Sequence, residues 1–264
     1  MTETLPFRGL AGRLGGLLLP VALLLLLALP GPGRAQGISA KELSRFLDRL
    51  YRSETSQGVV EMTIVSPHYT RRLEMRIWTR GMDYTLIRIL SPAKEKGTAT
   101  LKRGSEMWNY LPKIGKTIRI PPSMMMSAWM GSDLTNDDLV KETTWENDYH
   151  VDLVADPPPG RVGLVYVPKE DAAVTWSKVV AFVDARTKLP LSQEYYDEKG
   201  RKVRLMDFKE VRDLGGRTIP SRMVITPLSE DKEGRRTEMI YRELAFDQPL
   251  PDSLFSLSNL RRGE

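Results

Sequence analysis

The sequence predicts a mainly β fold in which about eleven short strands form one antiparallel sheet. Three observations carry that reading. From Gly58 onward apolar residues recur with a period of two, as where Leu73, Met75 and Ile77 alternate with Arg72, Glu74 and Arg76. Short chain-reversal sequences separate the runs, among them Lys113-Ile114-Gly115, Pro157-Pro158-Pro159-Gly160, Asp197-Glu198-Lys199-Gly200 and Gly215-Gly216. The spacers of a dozen or more residues that parallel crossovers need are missing between them. A sheet of this size must curl, split or close to limit its edges, so a single domain over 36–264 is expected.

The first 35 residues read as separate from that fold. Arg8 and Arg13 precede an apolar run from Leu17 to Leu29, which Pro30-Gly31-Pro32-Gly33 ends before Arg34, Ala35 and Gln36. This is the pattern of a signal peptide, 1–35, with cleavage after Ala35 and export of the remainder to an oxidising compartment such as the periplasm. The run spans thirteen positions, short of the ~20 residues a membrane-crossing helix requires. Its loss removes three arginines and one glutamate, so the working protein is less basic than the net charge of +5 suggests. The remaining arginine pairs, Arg71-Arg72, Arg235-Arg236 and Arg261-Arg262, are isolated, which argues against nucleic-acid binding. The chain has no cysteine, and this excludes disulfides, thiolate metal sites, a cysteine nucleophile and an acylated N-terminal cysteine.

The elements follow in order. Residues 38–54 read as a helix, with Leu43, Phe46, Leu47 and Leu50 on one face and Ser39 as its cap. A hairpin follows, 72–78 turning at Arg80-Gly81 into 84–90. On the first strand Leu73, Met75 and Ile77 face the concave side. On the second, Tyr84, Leu86 and Leu90 share a face with Arg88, which either meets a cargo head group or snorkels to the rim. Further strands fit 97–103, 105–111, 115–120, 148–155, 161–167, 175–184, 190–196, 201–212, 216–227 and 235–245.

Residues 121–141 break the rhythm. Ser123 can cap a short helix over 124–130 that Gly131 closes, and Ser132 or Thr135 can cap a second one with Asp137 and Asp138 in its first turn. Met124, Met125, Met126, Trp129 and Met130 fall within seven residues, too many apolar side chains for one buried stripe. They read either as core or as a flexible cover over an apolar cavity, a role that the adaptable thioether suits. Pro121-Pro122 and Gly131 bracket the segment as pivots.

Enzyme chemistry finds few parts. The chain has no G-x-S-x-G, Walker or H-E-x-x-H motif, and its two histidines, His68 and His150, lie in a turn and at a strand start. Asp133, Asp137 and Asp138 lack the spacing of a calcium loop and read as helix N-terminal acids. No catalytic residue, metal or cofactor is expected.

The run DARTKLPLSQEYYDEKGRKVRLMDFKEV (184–211), with Asp184, Leu189-Pro190, Tyr196-Asp197 and Gly200, resembles the strand-turn-strand signature of LolA-like periplasmic lipoprotein carriers. Residues 105–142 are similar to the outer-membrane lipoprotein-sorting-like branch of that superfamily. The similarity lies in Trp108-x-Tyr110-Leu111-Pro112 and in the block from Gly131 through Leu134 to Leu139. The ending from Phe246 through Pro251 to Leu254-Phe255 is also similar, so the resemblance spans most of 38–260.

The resemblance implies an incomplete, half-open β-barrel whose mouth short helices cover, and a hydrophobic cavity that receives acyl chains. It implies a soluble periplasmic carrier that moves lipid or lipoprotein toward the outer membrane. Met124, Met125, Met126, Trp129, Met130 and Leu134 would form the lid. Leu73, Met75, Ile77, Tyr84, Leu86 and Trp108 would line the cavity, with Arg88 as the head-group candidate. An inner-membrane exporter and an outer-membrane acceptor would be its partners, with transient membrane contact by a monomer. The competing reading is an envelope adaptor or sensor of the same fold that binds a membrane-protein or exporter partner.

Overall fold

Thirteen antiparallel strands make one sheet in the structure, a computed structural model that describes residues 38–141, 145–172 and 174–262. The expected signal peptide lies outside the described residues. Helix α1 (Ala40–Asp48) opens the described chain. The Ser39 hydroxyl accepts from the Glu42 amide at 3.2 Å while the Ser39 amide donates to the Glu42 carboxylate at 2.9 Å, a reciprocal cap. The helix ends six residues earlier than the expected 54 because Leu50 and Tyr51 dock on the sheet. Tyr51 stacks on Tyr241 with centroids 4.9 Å apart, and its hydroxyl donates to the Pro220 carbonyl at 2.7 Å.

The strands form two meanders. The first comprises β1 (Thr55–Ser66), β2 (Tyr69–Arg80), β3 (Tyr84–Ser91), β4 (Ala99–Arg103), β5 (Glu106–Leu111) and β6 (Lys116–Arg119). The second comprises β7 (Tyr149–Leu153), β8 (Arg161–Pro168), β9 (Lys178–Asp184), β10 (Pro190–Tyr196), β11 (Lys202–Leu214), β12 (Arg217–Pro227) and β13 (Arg236–Phe246). They join where β1 pairs with β13, giving the order 6-5-4-3-2-1-13-12-11-10-9-8-7. The short strands β6 and β7 are left as open edges, so the barrel is incomplete. The expected ranges cover β2 to β13; the strand added to them is β1, twelve residues long and paired with both β2 and β13.

The joining seam carries the bend. A bulge interrupts the β1–β13 register between Val59 and Val60, and such insertions increase local twist. Beside it, a Cβ on Gly58 would lie 2.3 Å from the Glu243 carbonyl oxygen, so only glycine permits this close approach. The curl brings side chains of β1–β3 and of β10–β13 around one cavity.

Alternation then sorts the side chains. Val60, Met62, Ile64, Leu73, Met75, Ile87 and Ile89 pack together on the inner face of the first meander. On β2, Arg72 and Arg76 are exposed while Leu73 and Met75 are buried, as the period of two predicts. Strand β3 departs from expectation. Its inward residues are Ile87 and Ile89, because the register sets Ile77 opposite Ile87 and Met75 opposite Ile89. Tyr84, Leu86 and Trp108 therefore belong to the opposite, outer face and do not line the cavity. There they pack with Leu101, Phe255 and Leu260 beneath the C-terminal segment, which carries a short helix over Leu257–Arg262. Arg88 lies on the same outer face, 3% exposed, and its Nη2 donates to the Asn259 carbonyl at 3.0 Å. It reaches neither the cavity nor the rim.

Gly58→Val should lower unfolding stability by about 2–4 kcal/mol, since the new side chain meets backbone that cannot retreat. Val211→Ala, an exposed position, should stay within about 0.5 kcal/mol of wild type. Urea denaturation of both variants checks this.

Candidate functional site

The cavity inside the curl measures about 180 Å³. Val60, Met75, Ile77 and Ile87 form one wall and Met206, Phe208, Met223 and Met239 the facing one. Four methionines from four different strands thus meet there, and none belongs to the run at 124–130. Their flexible thioethers let the wall adapt to varied occupants. Each sits in phase with the apolar side of its strand, so the alternation marks them, less conspicuously than the dense run at 124–130.

One end of the cavity is polar. Tyr51, Arg52, Ser56, Gln57, Thr79 and Thr85 line it, with Asp48 at the end of α1. The Ser56 and Thr79 hydroxyls bond to each other across the β1–β2 pair. Arg52 Nη1 donates to Thr85 Oγ1 at 3.3 Å and to the Gly81 carbonyl at 3.4 Å. Burial, and then the charge of Glu146, pushes the Asp48 carboxyl up to about 7. Strand β2 records the gradient: Leu73, Met75 and Ile77 face inward first, then Thr79, over six residues or about 20 Å.

The other end is closed by residues 121–141. The expected helix over 124–130 is replaced by two 3₁₀ turns, Pro122–Met124 and Trp129–Gly131. Met130 and Gly131 take positive φ angles of 51° and 73°, and the Trp129 amide donates to the Leu134 carbonyl at 2.7 Å, which folds the loop back. This turn drives Trp129 into the sheet, where it is 2% exposed and its Nε1 donates to Thr100 Oγ1 at 3.2 Å. Trp129, Leu134 and Leu139 line the cavity. Met125 and Met130 pack behind them, whereas Met124 and Met126 face solvent at 47% and 55% exposure.

Three strands hold this plug. Arg71 Nη1 on β2 donates to the Met130 carbonyl at 2.6 Å. The Asp133 carboxylate accepts from the Thr237 hydroxyl on β13 at 2.7 Å and from Arg235 Nε at 3.3 Å. Asp138 lies in α2 (Asn136–Lys141), which Thr135 caps: the Asp138 amide donates to Thr135 Oγ1 at 3.1 Å, and the Thr135 amide donates to the Asp138 carboxylate at 2.7 Å. The same carboxylate takes a forked pair from Arg204 on β11, Nη1 to Oδ2 at 2.5 Å and Nη2 to Oδ1 at 2.9 Å. Both side chains are almost fully buried. The guanidinium lies 3.8 Å from the Tyr195 ring centre and 4.5 Å from that of Trp176. Burial pushes the Asp138 carboxyl up, but the Arg204 charge and its hydrogen bonds outweigh this and hold it below the usual carboxylate range. The sequence alone marks Asp138 as a helix N-terminal acid and does not single out Arg204. The available signal was an arginine in phase with Met206 and Phe208 on an apolar face.

Among the described residues, no group of three or more histidine, aspartate or glutamate side chains is placed to hold a metal ion. No helix of the described residues is long and apolar enough to cross a membrane.

A half-open antiparallel barrel with an apolar interior plugged by a loop defines the class of this protein. A family model described as "-like: Uncharacterized protein" matches residues 81–262, more than half of the chain, and the chain belongs to that family. A DUF1329 family protein from Desulfovibrio piger is 25% identical, with a TM-score of 0.73 over 84% of this chain and 97% of that one. A LolA superfamily protein from Nitrosomonas europaea is 20% identical, with a TM-score of 0.71 over 84% and 100%. A domain from Vibrio parahaemolyticus named for outer membrane lipoprotein sorting is 21% identical, with a TM-score of 0.71 over 86% and 98%. The fold is thus the one found in LolA superfamily proteins. No curated protein matches the chain.

Asp138→Asn should cost about 3–5 kcal/mol, because it strands a buried guanidinium. The paired replacement Asp138→Leu with Arg204→Met should recover most of that loss. Since the folded carboxyl sits below its unfolded value, the pair stabilises above about pH 4 and its contribution is lost as the pH falls through the folded value. Denaturation curves of the three proteins from pH 3 to 8 should show the gap between wild type and Asp138→Asn narrowing at the acid end.

Proposed function

We propose that this protein is a periplasmic carrier that shields lipid or lipoprotein acyl chains inside the half-barrel. The observation that carries the reading is the cavity itself, with a methionine-rich wall at its centre and most of its polar residues gathered at one end. Exposing an acyl chain to water costs about 0.8 kcal/mol per CH₂, so chains leave a membrane only if an apolar surface replaces it. Such a surface must also release its cargo, and a loosely complementary methionine wall suits that better than a rigid one. The resemblance to lipoprotein-sorting proteins supports the same reading, with a monomer passing cargo from an inner-membrane donor to an outer-membrane acceptor. The protein does no bond chemistry in this account; it binds.

At about 180 Å³ the cavity is smaller than the ~300–1,000 Å³ of typical ligand pockets. Loading therefore requires the walls to part. The methionine side chains can shift by rotamer changes, and the 121–141 plug can withdraw Trp129 from between the two meanders. In this role Trp129 and Leu134 form the working surface of the lid, and Met125 and Met130 support it from behind.

Binding of a fluorescent fatty-acyl probe to the purified protein tests the proposal. Ile77→Trp, which fills the cavity from a half-buried position, should weaken the probe about tenfold or more with little change in melting temperature. Met126→Ala, on the exposed side of the plug, should leave binding unchanged. Undiminished binding to a folded Ile77→Trp protein, or a wild type that takes up no acyl probe, would refute the assignment.

A further inference from the structure

Three arginines converge just outside the polar end of the cavity. Arg49, Arg52 and Arg217 line a cleft of about 780 Å³ together with the turn at Gly81 and Met82. A single carboxylate, the exposed Glu54, shares that lining. Arg217 is fixed in place: its Nη1 donates to the carbonyls of Arg49 at 2.7 Å and Arg52 at 2.8 Å, and its guanidinium lies 3.6 Å over the Phe246 ring. These partners are neutral, so they position the charge without cancelling it. Arg49 projects from the end of α1 and is exposed. Behind the cleft, Lys102 Nζ donates to the Met82 carbonyl at 2.7 Å.

The cleft and the cavity adjoin, with Leu50 and Arg52 lining both. The sheet register shows how they are ordered. The start of β1, the end of β2, the start of β12 and the end of β13 lie at one end of the sheet, where Ser56 pairs with both Thr79 and Phe246. The plug contacts Arg71, Arg204 and Thr237, which lie at the opposite strand ends. Along the axis the lining therefore runs from arginines through hydroxyls to the methionines near the plug's anchors, while the Trp129 indole reaches back to Thr100, in register with Ile87 and Ile77.

We infer that the arginine cleft receives the anionic head group, a phosphate or carboxylate, of a lipid whose acyl chain lies in the cavity with its tail toward the anchored end of the plug. This rests on the acyl-binding reading above and adds a ligand class and a direction to it. Guanidinium forks match such oxyanions in geometry as well as charge, and Arg217 is already ordered before the ligand arrives. The head-group role expected for Arg88 passes to these residues, which stand at the cavity's polar end.

The experiment compares three probes by calorimetry: dihexanoyl phosphatidic acid, dihexanoylglycerol with the same chains, and inorganic phosphate. Wild type should bind the phosphatidic acid at least tenfold more tightly than the glycerol, and free phosphate at least a hundredfold more weakly than the phosphatidic acid. Arg49→Gln and Arg217→Gln should each remove most of the preference while changing the affinity for the neutral lipid less than twofold. Arg49 is exposed, so its variant keeps the test valid if Arg217→Gln unfolds. Equal binding of both lipids by wild type, or an intact preference in a folded Arg49→Gln and Arg217→Gln pair, would overturn the inference and leave the acyl reading standing. Phosphate binding as tightly as the anionic lipid would make this a free-anion site and also overturn it. Failure of both lipids to bind would remove the acyl reading, and the head-group assignment with it.

Discussion

The pair between Asp138 and Arg204 carries a full charge on each side and is withdrawn from water. Two hydrogen bonds in a fork and two aromatic rings against the guanidinium offset the desolvation, and the caps at Thr135 fix the carboxylate's orientation. A pair of this kind adds little net stability compared with apolar residues of the same volume, but it is costly to break from one side. Its effect here is on position. It registers the 121–141 segment on β11, while Arg71 and Thr237 register the same segment on β2 and β13. Trp129 is thereby held between the two meanders, and the size of the cavity is set by where it sits.

In the proposed role, that arrangement reconciles two demands on a carrier. The barrel must stay open enough for its walls to part, and β6 and β7 remain unpaired with each other for that reason in this account. Yet an open apolar trough would collapse or aggregate in water. A plug tethered by polar bonds to three strands covers the trough without filling it with rigid core. The tethers through Arg71 and Arg235 are only partly buried and can exchange for water, whereas the buried Asp138–Arg204 pair keeps α2 in place. The polar end of the cavity, by contrast, is built on α1 and the strand termini at the β1–β13 seam, where the bulge and Gly58 make the backbone approach close.

Much of this was open to reading in the residues. The period of two placed the strands, and Leu73, Met75 and Ile77 face inward as their alternation with charged residues requires. Strand β3 could not be oriented the same way. Leu86, Ile87, Ile89 and Leu90 are apolar at both parities, because the C-terminal segment covers the outer face that solvent would otherwise mark. That cover comes from residues more than 150 positions away, and no local pattern announces it. The methionine run posed the opposite difficulty. Composition identified the segment, but the positive φ at Met130 and the buried bond of Trp129 to Thr100 decide which side chains turn inward, and these depend on the completed sheet. The basic cleft was equally hidden, since Arg49, Arg52 and Arg217 meet only when β12 lies beside the seam.

The central claim is that the cavity carries acyl chains in the cell. Native mass spectrometry of the protein, isolated from a cell envelope fraction without detergent, tests it most directly. The account predicts a population carrying one bound species whose mass, after release into organic solvent, is that of an acyl lipid or an acylated peptide. Folded protein recovered entirely at its own mass, with no lipid in the extract, would contradict it.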